Sequence, residues 1–417
     1  MRKQIVFTVL LVVALMSSIK GYSQLSIDGE LRPRGEIRNG FKQVRDSTSK
    51  VAGLISQRSR ITMKYKSEVL ITKISLQDVR VWGDEKVKQD VPSMALHEAW
   101  AGFKVVDSLS LKIGRQELSY GNERLLGSAN WLQQAMSHDA VVAKYKSNGF
   151  TADLGLSFNQ THDTILSGTY YSYNKTNYKS LDYLWLSQKF NSLTISALLI
   201  GDNYQKTKDT SFTRYTYGGI ADYKDGSIES SANFYLQSGK TQTGQEISAY
   251  YFSFDLAYAL GKVKPAAGIE YFSGNDNSNT SNKKWNAFNT LYGTGHKFNG
   301  SMEYFLASAA TKNAGLVDVY LGAAYKATDK ITCKADYHYF SIQSDFLNAK
   351  TGQKIDKYLG SEVDLSVKAD FNKEISLLLG YSFLSASKSL EILQGRVNDG
   401  RLNSWAFAML TLKPKFL

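Results

Sequence analysis

Leu25-Ser26-Ile27-Asp28-Gly29-Glu30-Leu31-Arg32-Pro33-Arg34-Gly35-Glu36-Ile37-Arg38 sorts its residues by parity. The odd positions, Leu25, Ile27, Gly29, Leu31, Pro33, Gly35 and Ile37, are apolar or small. The even positions run from Ser26 and Asp28 through Glu30, Arg32, Arg34 and Glu36 to Arg38, and nearly all are charged. Successive side chains of a strand point to opposite faces, so this is a β-strand with one apolar and one charged face. Turned into a dry sandwich core, such a ladder would cost a great deal of desolvation. Turned toward a water-filled lumen it costs little, and the apolar face is then free to meet lipid.

The pattern recurs along the chain. In 58–66, Ile61, Met63 and Tyr65 point one way and Arg58, Arg60, Thr62, Lys64 and Lys66 the other. In 69–82 the phase changes: Ile74 and Leu76 share one parity, Val79 and Val81 the other. A β-bulge near Gln77-Asp78 accounts for that slip. Further strands are expected at 95–105, 109–117, 139–145, 150–159, 182–190, 193–201, 213–224, 228–238, 248–260 and 263–273, then at 317–326, 331–340, 358–371, 375–384 and 404–413. The total is about eighteen.

The connections argue more strongly than any one strand. Short ones at 67–68, 107–108, 146–149, 191–192, 225–227, 261–262, 327–330 and 372–374 alternate with long polar ones at 39–56, 83–94, 118–138, 160–181, 202–212, 239–247, 274–316, 341–357 and 385–403. Short periplasmic turns opposite long extracellular loops mark bacterial outer-membrane barrels, and a soluble all-β protein has no reason to sort loop length by side. Tyr215, Tyr217, Tyr223, Tyr250, Phe252, Phe254, Tyr258 and Tyr271 fall on the outward parity, where they would form interfacial girdles. The expectation is an all-β transmembrane antiparallel barrel spanning 24–417, with 274–316 its longest loop. The second part of that loop, 285–305, is aromatic-rich and is expected to fold into the lumen or over the mouth.

The N-terminus sets the compartment. Met1-Arg2-Lys3 precedes an aliphatic run, 5–16, that is too short to span a bilayer as a helix and ends in small residues. We expect 1–23 to be a signal peptide, cleaved after Ser23. No cysteine follows the run, so lipid anchoring there is excluded. The rest of the composition agrees: aromatics make up 12 %, with 26 Tyr and 32 Gly against 4 Pro, and mean hydropathy is −0.30. The single cysteine, Cys333, rules out an intrachain disulfide. The net charge of +12 favours anionic partners. Nucleic acid is not among them, because the chain is exported and carries no basic low-complexity block. Outer-membrane lipid and the barrel-assembly machinery are the expected macromolecular partners.

Catalytic chemistry is missing at this level. The 5 histidines are His97, His138, His162, His296 and His338. On a regular strand His97 and Glu98 face opposite sides, as do His138 and Asp139, so neither pair forms a dyad. His162-Asp163 lies in a long loop. There is no Gly-x-Ser-x-Gly elbow, no zinc spacing, and too few ligands around Asp276 for calcium. No catalytic residue, metal or cofactor is expected.

The remaining chemistry is the lumen ladder. Arg32, Arg34, Arg58, Arg60 and Lys64 stand beside the acids Glu30, Glu36, Asp78 and Glu98. Two readings are open: a salt-bridged wall that holds strand register, or a guanidinium track along which carboxylates hop.

Three further stretches carry a family resemblance. They are Leu76-Gln77-Asp78-Val79-Arg80-Val81-Trp82-Gly83, then Gly114-Arg115-Gln116 with Tyr120-Gly121, Arg124-Leu125, Gly127, Trp131 and Ser137-His138-Asp139-Ala140-Val141, and Phe288-Asn289-Thr290-Leu291-Tyr292-Gly293-Thr294-Gly295-His296-Lys297-Phe298. Together they resemble the alginate export family of outer-membrane porins. The resemblance implies an eighteen-stranded monomeric barrel whose Arg- and Lys-rich lumen selects an anionic polysaccharide for passive export. By position it adds Arg80, Arg115 and Arg124 to the basic pathway. The C-terminus, Lys413-Pro414-Lys415-Phe416-Leu417, departs from such barrels in placing its aromatic one residue early. The expected function is a passive channel for anionic oligo- or polysaccharide, or similar acidic solutes. The alternatives are a general anion-preferring porin and a plugged barrel whose long loops bind a surface or partner.

Overall fold

The computed structural model describes residues 24–417 apart from 89–92, 164, 167–169, 172–176 and 280. The expected signal peptide, 1–23, lies outside the described residues. Eighteen strands follow in order: β1 (Gln24–Asn39), β2 (Ala52–Lys66), β3 (Leu70–Val81), β4 (Met94–Val106), β5 (Leu109–Gln116), β6 (His138–Ser147), β7 (Phe150–Phe158), β8 (Ser180–Phe190) and β9 (Leu193–Gln205). The second half comprises β10 (Ser211–Asp225), β11 (Ile228–Gly239), β12 (Ala249–Tyr258), β13 (Val263–Phe272), β14 (Leu316–Lys326), β15 (Ile331–Ser341), β16 (Tyr358–Asp370), β17 (Ile375–Ala386) and β18 (Asn403–Leu412). Each strand pairs antiparallel with its sequence neighbours, and β18 returns to β1. The tail prolongs that seam. Phe416 N donates to Ile27 O at 2.8 Å, and Gly29 N to Pro414 O at 2.8 Å.

Alternation governs the outside. Ile61 and Leu154 are each 48 % exposed and point away from the lumen. Tyr215, Tyr217, Tyr223, Tyr250, Phe254 and Tyr258 are exposed on the same surface. Phe252 and Tyr271 lie beside them as a stacked pair with centroids 4.9 Å apart. In a bilayer this surface is solvated by lipid, so its apolar exposure is expected.

The inside departs from simple alternation in two places. β3 does not slip at Gln77-Asp78 as expected: it pairs one to one with β2 from Ser56–Val81 to Lys66–Ile71, although Gln77 and Asp78 are both buried. The register break lies against β4: Ser75 pairs with Glu98 and Leu76 with Leu96, leaving His97 as the additional residue. His97 and Glu98 therefore both face inward, at 3 % and 2 % exposure, and the expectation that they point apart is corrected. Second, the inner face of β8–β12 is largely apolar, with Tyr183, Trp185, Leu198, Ile200, Ile220, Tyr235 and Tyr251 all buried. Apolar side chains on a lumen wall need a cover. Leu125, Leu126 and Phe288, from two long loops, belong to the same buried cluster.

Among the described residues there is one α-helix, α1 (Lys388–Gln394), in the last long loop. Ser387 caps it, accepting from Leu390 N, and Leu390 and Leu393 are buried.

Outward and inward positions should respond oppositely to charge. Ile61→Arg or Leu154→Arg places a guanidinium in hydrocarbon at a cost of about 2–4 kcal/mol near mid-bilayer, and should lower the yield of the heat-modifiable barrel on gels. Lys64→Ser, on the lumen side, should assemble normally. Equal tolerance on both faces would contradict the assignment.

Candidate functional site

The arginine ladder of β1 and β2 does not stand free in the lumen. Arg32 donates to Asn130 O at 2.8 Å, to Leu132 O at 3.0 Å and to the Gln133 side chain at 3.1 Å. Arg34 donates to Trp131 O at 3.0 Å and to Glu36 at 2.9 Å. Arg58 reaches Glu30 at 2.8 Å, the Asn130 side chain at 2.9 Å and Gln133 O at 3.3 Å. The segment between β5 and β6, 117–137, is thus bound to the wall from inside the barrel. A guanidinium presents five donors in a fixed fork, which suits it to several carbonyls at once.

A second long segment, 273–315, comes in from the opposite side. Its tip meets an acidic wall on β13–β16. Asn299 donates to Glu270 at 2.6 Å and to Asp318 at 3.2 Å. Ser301 N donates to Asp364 at 3.1 Å and Met302 N to Glu362 at 2.7 Å. His338 Nδ1 lies 3.0 Å from Asp318, and its Nε2 is 3.7 Å from Asp364.

The two segments join at mid-lumen. Gly127 N donates to Tyr292 O at 2.9 Å, and Tyr292 N to Leu125 O at 3.0 Å. Trp131 is held between Arg34, 4.4 Å above its ring, and His296, stacked at 3.9 Å. His296 Nδ1 lies 2.8 Å from Glu303, whose other oxygen is 2.5 Å from Lys42 Nζ. Burial pushes the Glu303 carboxyl up, but His296 and Lys42 outweigh it and hold it below the usual carboxylate range. A cleft of about 750 Å³ lies on the long-loop side of this layer, between Lys42, Trp131, Tyr204, Arg214 and Tyr292. A second, of about 370 Å³, lies toward the short turns.

A closed eighteen-stranded sheet whose lumen is crossed by loops bound to charged walls is the architecture of a porin. The model of the family described as alginate export matches residues 23–401. The chain belongs to the alginate export family. No curated protein matches it in sequence. Among solved structures it is similar to Pseudomonas aeruginosa OccK9 (OpdG), at 12 % identity and TM-score 0.62 over 94 % of this chain and 99 % of that one. It is also similar to OpdO of the same organism, at 13 % and 0.59 over 94 % and 98 %. A third is that organism's OpdK with vanillate, at 10 % and 0.59 over 94 % and 99 %. This member of the alginate export family is an outer-membrane β-barrel channel, and its family and fold are those of transport porins rather than enzymes.

The residues that the alginate export resemblance added fall in three different settings. Arg80 and Asp78, expected in the lumen, share the outward parity of Ile74 and Leu76 near the long-loop end of β3, where Arg80 pairs with Asp78 at 2.5 Å and Glu85 at 3.4 Å. Arg115 does not line the lumen. It shares the outward parity of Ile113 and pairs with the exposed Asp139 at 3.2 Å. Arg124 does not line it either. It is buried in the 117–137 segment, paired with Glu270, 2.8 Å from the Asn299 side chain and 4.0 Å from the Phe298 ring centroid. Of the acids, Glu30 pairs with Arg58, Glu36 with Arg34 and Arg38, and Glu98 with Lys73.

Alternation alone missed two features of the site. The inward course of 117–137 was signalled by Leu118, Leu125, Leu126 and Trp131, apolar residues in what should be a polar loop. The bulge in β4 gathers His97, Glu98 and Glu117. His97 Nε2 lies 2.8 Å from Glu117, while Glu98 is taken up by Lys73 and the Trp100 indole. The Lys73 ammonium already occupies the charge-balancing place a cation would take.

The Trp131 stack should act as one latch for both segments. Trp131→Ala should raise hydrogen exchange in 121–135 and in 288–303 together, by an amount equivalent to roughly 1–2 kcal/mol, in a barrel that remains heat-modifiable. A rise confined to one segment would show that the stack does not couple them. The Glu303 contact adds a pH dependence. A carboxyl depressed in the folded state stabilises above its unfolded pKa, and that contribution is lost as the pH falls through its folded value. Protection factors at 296–303, which remove the intrinsic pH dependence of exchange, should therefore be high at neutral pH and fall in acid as the carboxyl protonates. Glu303→Gln should show the raised exchange already at neutral pH.

Proposed function

We propose that this channel passes acidic solutes, of the oligouronate or anionic-saccharide class, along the β2–β5 side of its lumen. The observation that carries the reading is a set of inward cations that have no carboxylate partner among the described residues. Arg60 donates only to the Gln77 side chain, at 2.6 and 3.1 Å. Lys112 lies 4.1 Å over the Trp100 ring. Lys64 is exposed to the lumen and makes no ion pair. Arg32, Arg34 and Arg58 are spent on the 117–137 segment and serve as its anchors. The free cations stand on the short-turn side of the loop layer, inside a low-dielectric wall. There an unpaired charge raises the local concentration of anions and repels cations. Lysines suit the task, being mobile, hydrated point charges that release a carboxylate easily. Passage is passive, down a gradient, with outer-membrane lipid around the barrel and the barrel-assembly machinery delivering it there.

The loop layer is hydrogen-bonded to both walls, which favours one second reading: a plugged barrel whose exposed loops bind a partner. Planar-bilayer recording separates the two, since a plugged barrel gives no steady conductance. For the channel, Arg60→Ser with Lys112→Ser should shift the reversal potential toward cations. Block by oligouronates should weaken by roughly three- to tenfold, as expected for two partly solvated charges. The effect should shrink at high salt. Melting should change little. Arg58→Ser should do the reverse, lowering the melting point by removing the nearest ion-pair partner of Glu30 and the donor to the Gln133 carbonyl, with a small change in selectivity. Equal selectivity in all three proteins would remove the basic lane.

A further inference from the structure

The cleft on the long-loop side carries charged groups whose charges cancel. Lys42 is paired with Glu303 at 2.5 Å. Arg214 makes a two-point contact with the fully buried Asp202, its Nε donating there at 3.1 Å. Among the described residues Glu303 is the only acid on the lining, and Lys42 holds it. Neither cation is left over for an anion, and no carboxylate is left over for a cation.

What remains is neutral hydrogen-bonding capacity. The Gln242 side chain and the Thr290 hydroxyl line the cleft and make no hydrogen bond among the described residues. Asn289 Oδ1 accepts from Leu291 N at 2.8 Å, which leaves its amide nitrogen unused. The hydroxyls of Tyr204 and Tyr292 are joined at 2.8 Å, and Arg214 donates to the first at 3.1 Å. These groups converge from β9, from the β11–β12 connection and from the 273–315 segment. Leu132, Met136 and Leu306 add an apolar border.

Such a lining disfavours two classes of solute. A small acid or amine would give up hydration there without meeting a free opposite charge. A purely apolar solute would strip water from the amides and hydroxyls and put nothing in its place. A saccharide meets both conditions. Its hydroxyls donate and accept, matching side-chain amides and hydroxyls, and the C–H faces of its rings suit the apolar border. The volume of about 750 Å³ falls within the roughly 300–1,000 Å³ of ligand sites, room for a short oligosaccharide.

We propose that this cleft is a saccharide subsite that reads hydroxyl groups without reading charge, so that uncharged oligosaccharides bind at the mouth as acidic ones do. The subsite stands on its own residues. Its place in a sequence of recognition, ring hydroxyls at the mouth and carboxylates in the lane beneath, rests on the proposed function. Its contacts are few and face solvent, which suits transit better than tight binding.

The test is saturation-transfer NMR on the full-length chain in lipid nanodiscs. Cellotriose serves as an uncharged saccharide, and acetylated, amidated triglycine as an uncharged solute rich in amides. Cellotriose should bind, and raising the salt should leave its affinity unchanged, because it carries no charge to screen. Gln242→Ala with Thr290→Val should weaken it roughly four- to tenfold, the loss of two solvent-facing hydrogen bonds. Gln242→Ala alone should weaken it about two- to fourfold. That variant lies in the turn between β11 and β12 and keeps the test open if the double variant fails to assemble. Absence of cellotriose binding, or an affinity that neither variant moves, overturns the proposal. Equal binding of the capped tripeptide overturns it too, since the cleft then reads polar groups of any kind. The two readings fail separately. A barrel without steady conductance that still binds cellotriose, and binds it less in Gln242→Ala, loses the channel and keeps the subsite. An anion-selective conductance sensitive to Arg60→Ser with Lys112→Ser, in a barrel that ignores cellotriose, keeps the lane and removes the subsite.

Discussion

Hydrocarbon offers a peptide group nothing to bond with, and every other feature of this molecule follows from that. A sheet in lipid must have no free edge. Here the last strand closes on the first through pairs running from Leu31–Leu412 to Asn39–Ser404. The tail closes the remaining gap, with Asp28 bridged to Lys415 and Ile27 bonded to both Phe416 and Leu417. The C-terminal aromatic that comes one residue early still lies on this seam. Closure sends one parity of every strand to lipid and the other to an enclosed space. The composition of the strands then answers to two solvents at once.

The enclosed space is wide at eighteen strands, and the protein fills its middle with its own backbone. Loop backbone brings unpaired polar groups that water in a lumen serves only partly. The walls supply the partners, and their signs sort the loops. Carbonyls of 130–133 go to the guanidinium groups of Arg32, Arg34 and Arg58. Amides of 301 and 302 go to the carboxylates of Asp364 and Glu362. A basic wall reads carbonyls and an acidic wall reads amides, so each loop has one side on which it fits. Trp131 and His296 join the two where they meet.

The fold was legible because it is a matter of period and spacing. Alternation located all eighteen strands, and the contrast of short and long connections gave their direction. β2 alone began well before its expected start, as Ala52 pairs with Arg38 in a stretch with weak alternation. The site was only half legible. Charge at even positions of β1 identified inward groups, but parity says nothing of what a side chain meets across the lumen. Arg32 reads the same whether it faces water or a loop. The β4 bulge defeated parity outright, since one additional residue brings His97 and Glu98 to the same side. Arg115 and Arg124 show the limit of reasoning from resemblance. Both sit in stretches that match the family, yet one faces outward and the other is sealed between loops and wall.

The loop layer also decides where selectivity can reside. Charges at its level are bonded to loop or wall, and changing them alters the latch before it alters the solute. Solvent-facing charge without a partner lies where the loops do not reach. On the basic side that leaves Arg60, Lys64 and Lys112, and on the acidic side Asp222 and Asp255. Both sets lie toward the short turns. A solute from the long-loop side meets a polar cleft lined by Trp131, Tyr204 and Tyr292 before it meets any uncompensated field. One from the other side meets the field at once. On the proposed function, closure and recognition would be separated by depth, the first resting on hydrogen bonds between loop backbone and wall, the second on the charges those bonds leave unused.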